Sequence, residues 1–138
     1  MAKNKEKVLF LCKHNSTRSQ IAEGILRNLY GTDYEVESAG IEPTNINPYA
    51  IKVMDEIGIN ISNQKTKSIE NFKDEKFDYV VTVCDHTKES CPFFPGNKLI
   101  HKGFEDPSMI QDEEGKLLAY RKIRDEIKDW IEIMFSNP

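Results

Sequence analysis

The sequence predicts an α/β fold, a three-layer sandwich with a four-stranded parallel sheet. Three observations predict it. Short apolar runs alternate along the chain with longer segments whose apolar residues recur at helical spacing, the order expected of a parallel sheet with helical crossovers. The chain has 138 residues, which suits a single domain spanning 1–138 around one core. No internal repeat, low-complexity tract or linker interrupts it.

Each element follows from its own pattern. Residues 7–11 read as a fully buried strand, because Val8, Leu9, Phe10 and Leu11 leave no polar face. Ile21, Ala22, Ile25, Leu26 and Leu29 then fall on one face of a helix, which Gly31 ends. Residues 35–38 read as a second strand. A second helix starts near Pro48, turns Ile51, Met54 and Ile57 inward, and closes at Gly58. Residues 77–83 form a third strand, rich in Val, and 99–101 a short fourth. A long final helix covers 117–135, with Leu118, Ile123, Ile127, Ile131 and Met134 as its apolar stripe. In such sheets the active site lies beyond the carboxyl ends of the strands, at a topological switch point.

Composition narrows the function. Hydrophobic residues make up 38% and charged residues 30%, the balance of a globular chain rather than a disordered one. The formal net charge of −4 argues against nucleic acid as a partner, while leaving room for a local basic site for a small anion. The apolar run 8–11 is too short for a signal-peptide core or a membrane span, so a cytoplasmic location is expected. A monomer is expected as well. Cys12, Cys84 and Cys91 are an odd number of cysteines, which in a reducing compartment suggests reactive thiols rather than a structural framework.

Cys12 is the most informative of them. It closes the first strand. Lys13, His14, Asn15, Ser16 and Thr17 separate it from Arg18, where a helical pattern begins. The loop amides and the first helical turn can point their N–H groups at one spot. Arg18 can clamp a tetrahedral anion with two parallel hydrogen bonds. The same positive field favours the thiolate of Cys12 near neutral pH. A bare Cys-x5-Arg would read as a buried strand cysteine and a surface arginine. The strand–loop–helix setting overturns that reading. Asn15 is expected to hold the loop's shape through side-chain hydrogen bonds.

Residues 12–24 resemble the signature loop of the low-molecular-weight phosphatase superfamily. More narrowly, they resemble the thioredoxin-coupled arsenate reductases built on that fold. The likeness continues through Ser38-Ala39-Gly40-Ile41, Asn47-Pro48, Ile61-Ser62, Val81-Thr82-Val83-Cys84, Cys91-Pro92, Asp106-Pro107 and the Arg121 to Ile127 segment. It implies that arsenate binds at Lys13, His14, Asn15, Ser16, Thr17 and Arg18, with phosphate or sulfate as competing oxyanions. It implies Asp106 as the general acid and Ser19 as the hydroxyl bonded to the thiolate, although Asp-Pro is common in turns and Ser at helix starts. No cofactor is implied. Some relatives bind potassium through residues matching Asn15, Glu23, Ser38 and an aspartate. Lys67 stands at the aspartate position here, where an ammonium could reach Glu23, so no metal is expected. Thr17 replaces a further cysteine found in many relatives.

The resemblance also implies a relay. Cys12 attacks arsenate, Cys84 attacks Cys12 as arsenite leaves, Cys91 attacks Cys84, and thioredoxin reduces the resulting disulfide. Spacing shows only that this is feasible. Parallel neighbouring strands about 4.8 Å apart would bring Cys12 and Cys84 side by side, and a disulfide needs Cα atoms about 4.4–6.8 Å apart. A helix between Cys84 and Cys91 would separate its ends by about 10 Å, so their pairing would require that segment to unwind. Cys84, His86 and Cys91 do not have a standard zinc-ligand spacing. The nearest rival function is a low-molecular-weight protein tyrosine phosphatase using Cys12, Arg18 and Asp106. A redox sensor that binds oxyanions without turnover is a rival of another class.

Overall fold

The computed structural model describes residues 5–85 and 93–136. The chain runs β1 (Glu6–Cys12), α1 (Arg18–Tyr30), β2 (Tyr34–Gly40), α2 (Pro48–Asp55), β3 (Tyr79–Thr82), β4 (Lys98–His101) and α3 (Glu113–Phe135). Two short 3-10 turns, Ile69–Phe72 and Pro107–Met109, lie in the connections. The four strands form one sheet in the order β2-β1-β3-β4. All of its pairings are parallel, as expected. The order reverses direction at β1, so the switch point falls between the carboxyl ends of β1 and β3.

Alternation along β1 divides the core. Val8, Phe10 and Cys12 face the three helices, meeting Ile21, Ile25, Val53, Met54, Ile123, Ile127 and Ile131. Leu9 and Leu11 face the other way, onto Phe72, Phe77, Val80 and Phe94. Both faces are apolar, which is why the run 8–11 carries no polar residue. α3 ties the two ends of the sheet together. At its last turn Phe135 packs edge-on to Tyr34 and Tyr79, with ring centroids 5.2 and 5.6 Å away. About 22 Å earlier along the axis, at 1.5 Å per residue, Tyr120 reaches the active end of the sheet.

Local chemistry explains the helix limits. Asn47 caps α2 by accepting from the Tyr49 amide at 2.8 Å, and Pro48 follows at the first helical position. Asp112 caps α3 by accepting from Gly115. α2 ends at Asp55, and Gly58 closes the turn beyond it with φ +78°.

The α3 stripe differs from expectation. Tyr120, Ile123, Arg124, Ile127, Ile131 and Phe135 are buried, whereas Leu118 and Met134 are 64% and 44% exposed. Leu118 lies two residues, about 200° of helical rotation, from Tyr120, so it faces solvent. Leu29 likewise sits on the outer side of α1. The third strand is shorter than 77–83. Asp78 and Val83 still bond to β1 through Lys7 and Leu11, extending the pairing by single hydrogen bonds beyond each end. The stretch 86–92, with Cys91 and most of the segment expected to be helical, lies outside the described residues. No helix among the described residues is long and apolar enough to cross a membrane.

Candidate active site

The loop after β1 is shaped by what its carbonyls bind. Lys13, His14 and Ser16 turn their carbonyls outward, to the amides of Glu42, Thr44 and Asn47. In a trans peptide the N–H points opposite the C=O. The amides of His14, Asn15 and Thr17 therefore turn inward, toward the centre of the loop. This is the geometry of an anion-binding nest. Gly40, paired with Cys12 across the ladder, makes the tight path possible. A Cβ there would lie 2.6 Å from the Lys13 carbonyl oxygen and 2.9 Å from the Asn15 nitrogen.

Asn15 holds the loop. It is the one described non-glycine residue with positive φ, at 52°, a conformation that Asn tolerates better than most. Its buried amide is fully engaged. Nδ2 donates to the Ser19 and Ser38 hydroxyls at 2.8 and 2.9 Å. Oδ1 accepts from the Lys67 amide and from Gln20 Nε2, at 2.9 and 3.1 Å. The polar network continues behind the loop. The Ser38 hydroxyl donates a short hydrogen bond to Glu23. Glu23, itself buried, pairs with Arg27 at 2.7 Å and with the Lys67 ammonium at 3.6 Å. Lys67 thus reaches Glu23, the contact its sequence position suggested.

At the front of this network stands Cys12, a free buried thiol whose Sγ lies 2.9 Å from Ser19 Oγ. Arg18 opens α1 and is 4% exposed. Its Nη1 donates to the Phe104 carbonyl at 3.1 Å, and its Nη2 lies 3.9 Å from Asp106 Oδ2. The guanidinium is therefore braced by the 104–106 segment and held beside the loop. Asp106 caps the turn Pro107–Met109. Its Oδ1 accepts from the Ser108 amide and hydroxyl at 2.9 and 2.7 Å, leaving Oδ2 on the Arg18 side. A cleft of about 410 Å³ opens here, lined by Lys13, His14, Asp85, Glu105, Asp106, Met109 and Ile110. Within it, His14 contacts the Glu42 carbonyl at 3.1 Å, and Lys13 approaches the Glu42 carboxylate at 3.9 Å.

The fold thus brings Cys12, Ser19, Asn15, Thr17, Arg18 and Asp106 to one place. Cys84 lies nearby, fully buried two residues past the end of β3, and it is disulfide-bonded. Thr82 pairs with Leu11, so Cys84 stands one residue further along the strand direction than Cys12. Sequence reasoning assigned no role to Gly40, Gln20 or Tyr120. Gly40 had a visible signal, a glycine at a strand end. Gln20 sits inside a helical pattern, where a surface reading is natural, but its amide reaches the Asn15 and Lys65 carbonyls. Tyr120 reads as a core aromatic, and nothing in the pattern marks its hydroxyl.

The sequence and the fold match known proteins. Residues 7–136 match the low molecular weight phosphotyrosine protein phosphatase family. The chain is similar to the arsenate reductase of Halalkalibacterium halodurans, 45% identical over 126 residues, which cover 90% of this chain and 91% of that protein. A solved arsenate reductase in the phosphate binding state is similar with a TM-score of 0.76 at 32% identity, covering 94% of this chain and 95% of that one. The thioredoxin-dependent arsenate reductase of Corynebacterium glutamicum is similar with a TM-score of 0.63 at 30% identity, covering 99% of this chain and 66% of that one. The chain belongs to the low molecular weight phosphotyrosine protein phosphatase family, on its arsenate reductase branch.

Proposed function

We propose that this protein reduces arsenate to arsenite through a thiol relay that thioredoxin regenerates. One observation carries the proposal: a free Cys12 thiol bonded to Ser19 at the floor of an inward-facing amide loop, with Cys84 buried at the end of the adjoining parallel strand. Arsenate has the tetrahedral shape that such a loop and Arg18 accept. The Cys12 thiolate attacks arsenic, and an As–O bond breaks. Asp106, on the Arg18 side of the cleft, protonates the departing oxygen. A Cys84 thiolate then attacks Cys12 Sγ. The S–As bond breaks, its electron pair stays on arsenic, and As(V) becomes As(III). The two cysteines supply both electrons and form a disulfide. A Cys91 thiolate next attacks Cys84 and releases Cys12 as a thiolate. The dithiol of thioredoxin finally reduces the Cys84–Cys91 disulfide.

A disulfide-bonded Cys84 beside a free Cys12 supports this order, because that is what the last exchange would leave. The same anion site could hydrolyse a phosphate monoester, which is the phosphatase reading. A coupled assay decides between them. With thioredoxin, thioredoxin reductase and NADPH, arsenate should drive NADPH oxidation and arsenite release. Rapid aryl phosphate hydrolysis without arsenate-dependent NADPH oxidation would reject the reductase.

A further inference from the structure

Tyr120 carries a hydroxyl that packing does not need. The residue is fully buried, and its ring lies against Tyr49 with centroids 5.4 Å apart. It belongs to the cluster of helix-side core residues that also contains Phe104, Ile123 and Ile127. Phenylalanine would fill that space equally well. Yet the Tyr120 hydroxyl is the one buried side-chain oxygen or nitrogen among the described residues without a hydrogen-bond partner. An orphaned buried donor is destabilising, and native structures contain few of them. Burial also pushes the phenol's pKa up, so it is a neutral donor across the physiological range.

The surroundings identify its counterpart. The phenol oxygen faces the Thr17 side chain, whose influence partly offsets that of burial, with Asp106, Tyr49 and Arg18 the charged or titratable groups around it. Thr17 and Arg18 are the last loop residue and the first residue of α1. Thr17 occupies the N-cap position, but its side chain makes no capping hydrogen bond. Its hydroxyl oxygen is therefore not committed to the helix. Asp106 is already engaged, its Oδ1 taking two hydrogen bonds from Ser108 and its Oδ2 lying on the Arg18 side. Thr17 is the hydrogen-bonding side chain that acts on the phenol, yet the pair does not complete a hydrogen bond in this structure.

We propose that Tyr120 is a positioning residue for the oxyanion loop, its hydroxyl donating to Thr17 Oγ1 when the loop closes on a tetrahedral anion and so holding the Thr17–Arg18 turn against the ligand. This inference rests on the reading of that loop as an oxyanion site. The bond forms with the anion, so it adds to anion affinity and not to the stability of the protein alone.

Inorganic phosphate is the probe, with calorimetric titration and thermal melts in a buffer free of other oxyanions. Four proteins are compared: wild type, Tyr120→Phe, Thr17→Val and the double variant. Tyr120→Phe should weaken phosphate binding about 3- to 10-fold, the effect of one hydrogen bond. Without phosphate its melting temperature should match or exceed that of wild type, and phosphate should raise it less. Thr17→Val should weaken binding too, and the double variant should lose little more than either single change. In arsenate turnover the KM of Tyr120→Phe should rise while kcat stays within about two-fold. Unchanged phosphate affinity in Tyr120→Phe overturns the proposal. So does an equal loss of melting temperature with and without phosphate, which would mark a constitutive structural bond. Failure of the wild type to bind phosphate would instead remove the oxyanion reading itself, and this proposal with it.

Discussion

Cys12 Sγ and Ser19 Oγ lie 2.9 Å apart, joining the end of a buried strand to the first turn of the helix that follows it. Asn15 Nδ2 donates to the same hydroxyl at 2.8 Å. With that lone pair occupied, the Ser19 O–H is free to point at sulfur. The hydroxyl is thus oriented as a donor toward Cys12 Sγ. Ser19→Ala should slow alkylation of Cys12 at neutral pH by about 10-fold or more, given about 1.5–3 kcal/mol for a hydrogen bond to a charged group. Iodoacetamide labelling followed by peptide mass spectrometry reads Cys12 separately from the other thiols. An unchanged rate would mean that the contact does not stabilise the thiolate.

The proposed relay orders the cysteines. Cys12→Ser should abolish turnover, since no adduct can form. Cys91→Ser should release about one arsenite per enzyme and trap a Cys12–Cys84 disulfide, because the last exchange is lost. Quantified arsenite and a non-reducing peptide map check both. Sustained thioredoxin-driven turnover by Cys91→Ser would defeat the scheme.

Arg18 and Asp106 should separate in their effects. In the proposed reaction Arg18 meets the anion before and during the chemistry, so with Arg18→Ala both phosphate affinity and arsenate turnover should fall. Asp106→Asn removes only the acid that the proposed reaction assigns to that position. It should slow adduct formation about 10²-fold or more while phosphate binding persists. Rapid-mixing kinetics with arsenate, beside phosphate titration, measure the two quantities. Parallel losses in both variants would contradict this division.

Gly40 should matter through the loop alone. A methyl group there meets the backbone at Lys13, Asn15 and Cys12, with no flexible side chain to yield. Gly40→Ala should cost about 1–3 kcal/mol of stability as overpacking and should abolish phosphate binding. Gly58→Ala is the contrast. That position has φ +78° and open space around it, so the change should lower stability by about 1–2 kcal/mol yet leave phosphate affinity intact. Intact binding in Gly40→Ala would show that the loop can move aside.

Glu56 gives a pH signature unrelated to the active site. Hydrogen bonds from Arg121, and then from Arg124, hold its carboxyl at about 2, below the ordinary 4.5. It accepts from Arg121 Nε and Nη2 and from Arg124 Nη1, tying the end of α2 to α3. A depressed carboxylate contributes stability that is present above its unfolded value. That contribution fades as pH falls from about 4.5 toward 2. Glu56→Gln should therefore melt lower than wild type at pH 7, and the two melting curves should converge across that acid range. A gap independent of pH would show that the pair does not act through charge.

The sequence by itself determined the α/β class, the parallel sheet and the position of the nucleophile. These are local signals. An apolar run with no polar face must be buried on both sides, and a cysteine, five residues and an arginine between strand and helix specify an anion loop. Asn15 as the loop's anchor was legible through its local partners Ser19 and Gln20, whereas its bonds to Ser38 and Lys67 come from the fold. Other features depend on contacts between residues far apart in the chain. Gly40 matters because β2 lies against the loop after β1, which no spacing rule states. The stripe of α3 was misread at Leu118 and Met134 because helical phase, not residue type, decides which side faces the sheet. Tyr120 and Thr17, the pair proposed to bond, stand 103 positions apart in sequence, the difference of their residue numbers. Only the crossing of α3 over the active end of the sheet places its hydroxyl there. A buried polar atom acquires meaning from its partners, and partners are assigned in three dimensions.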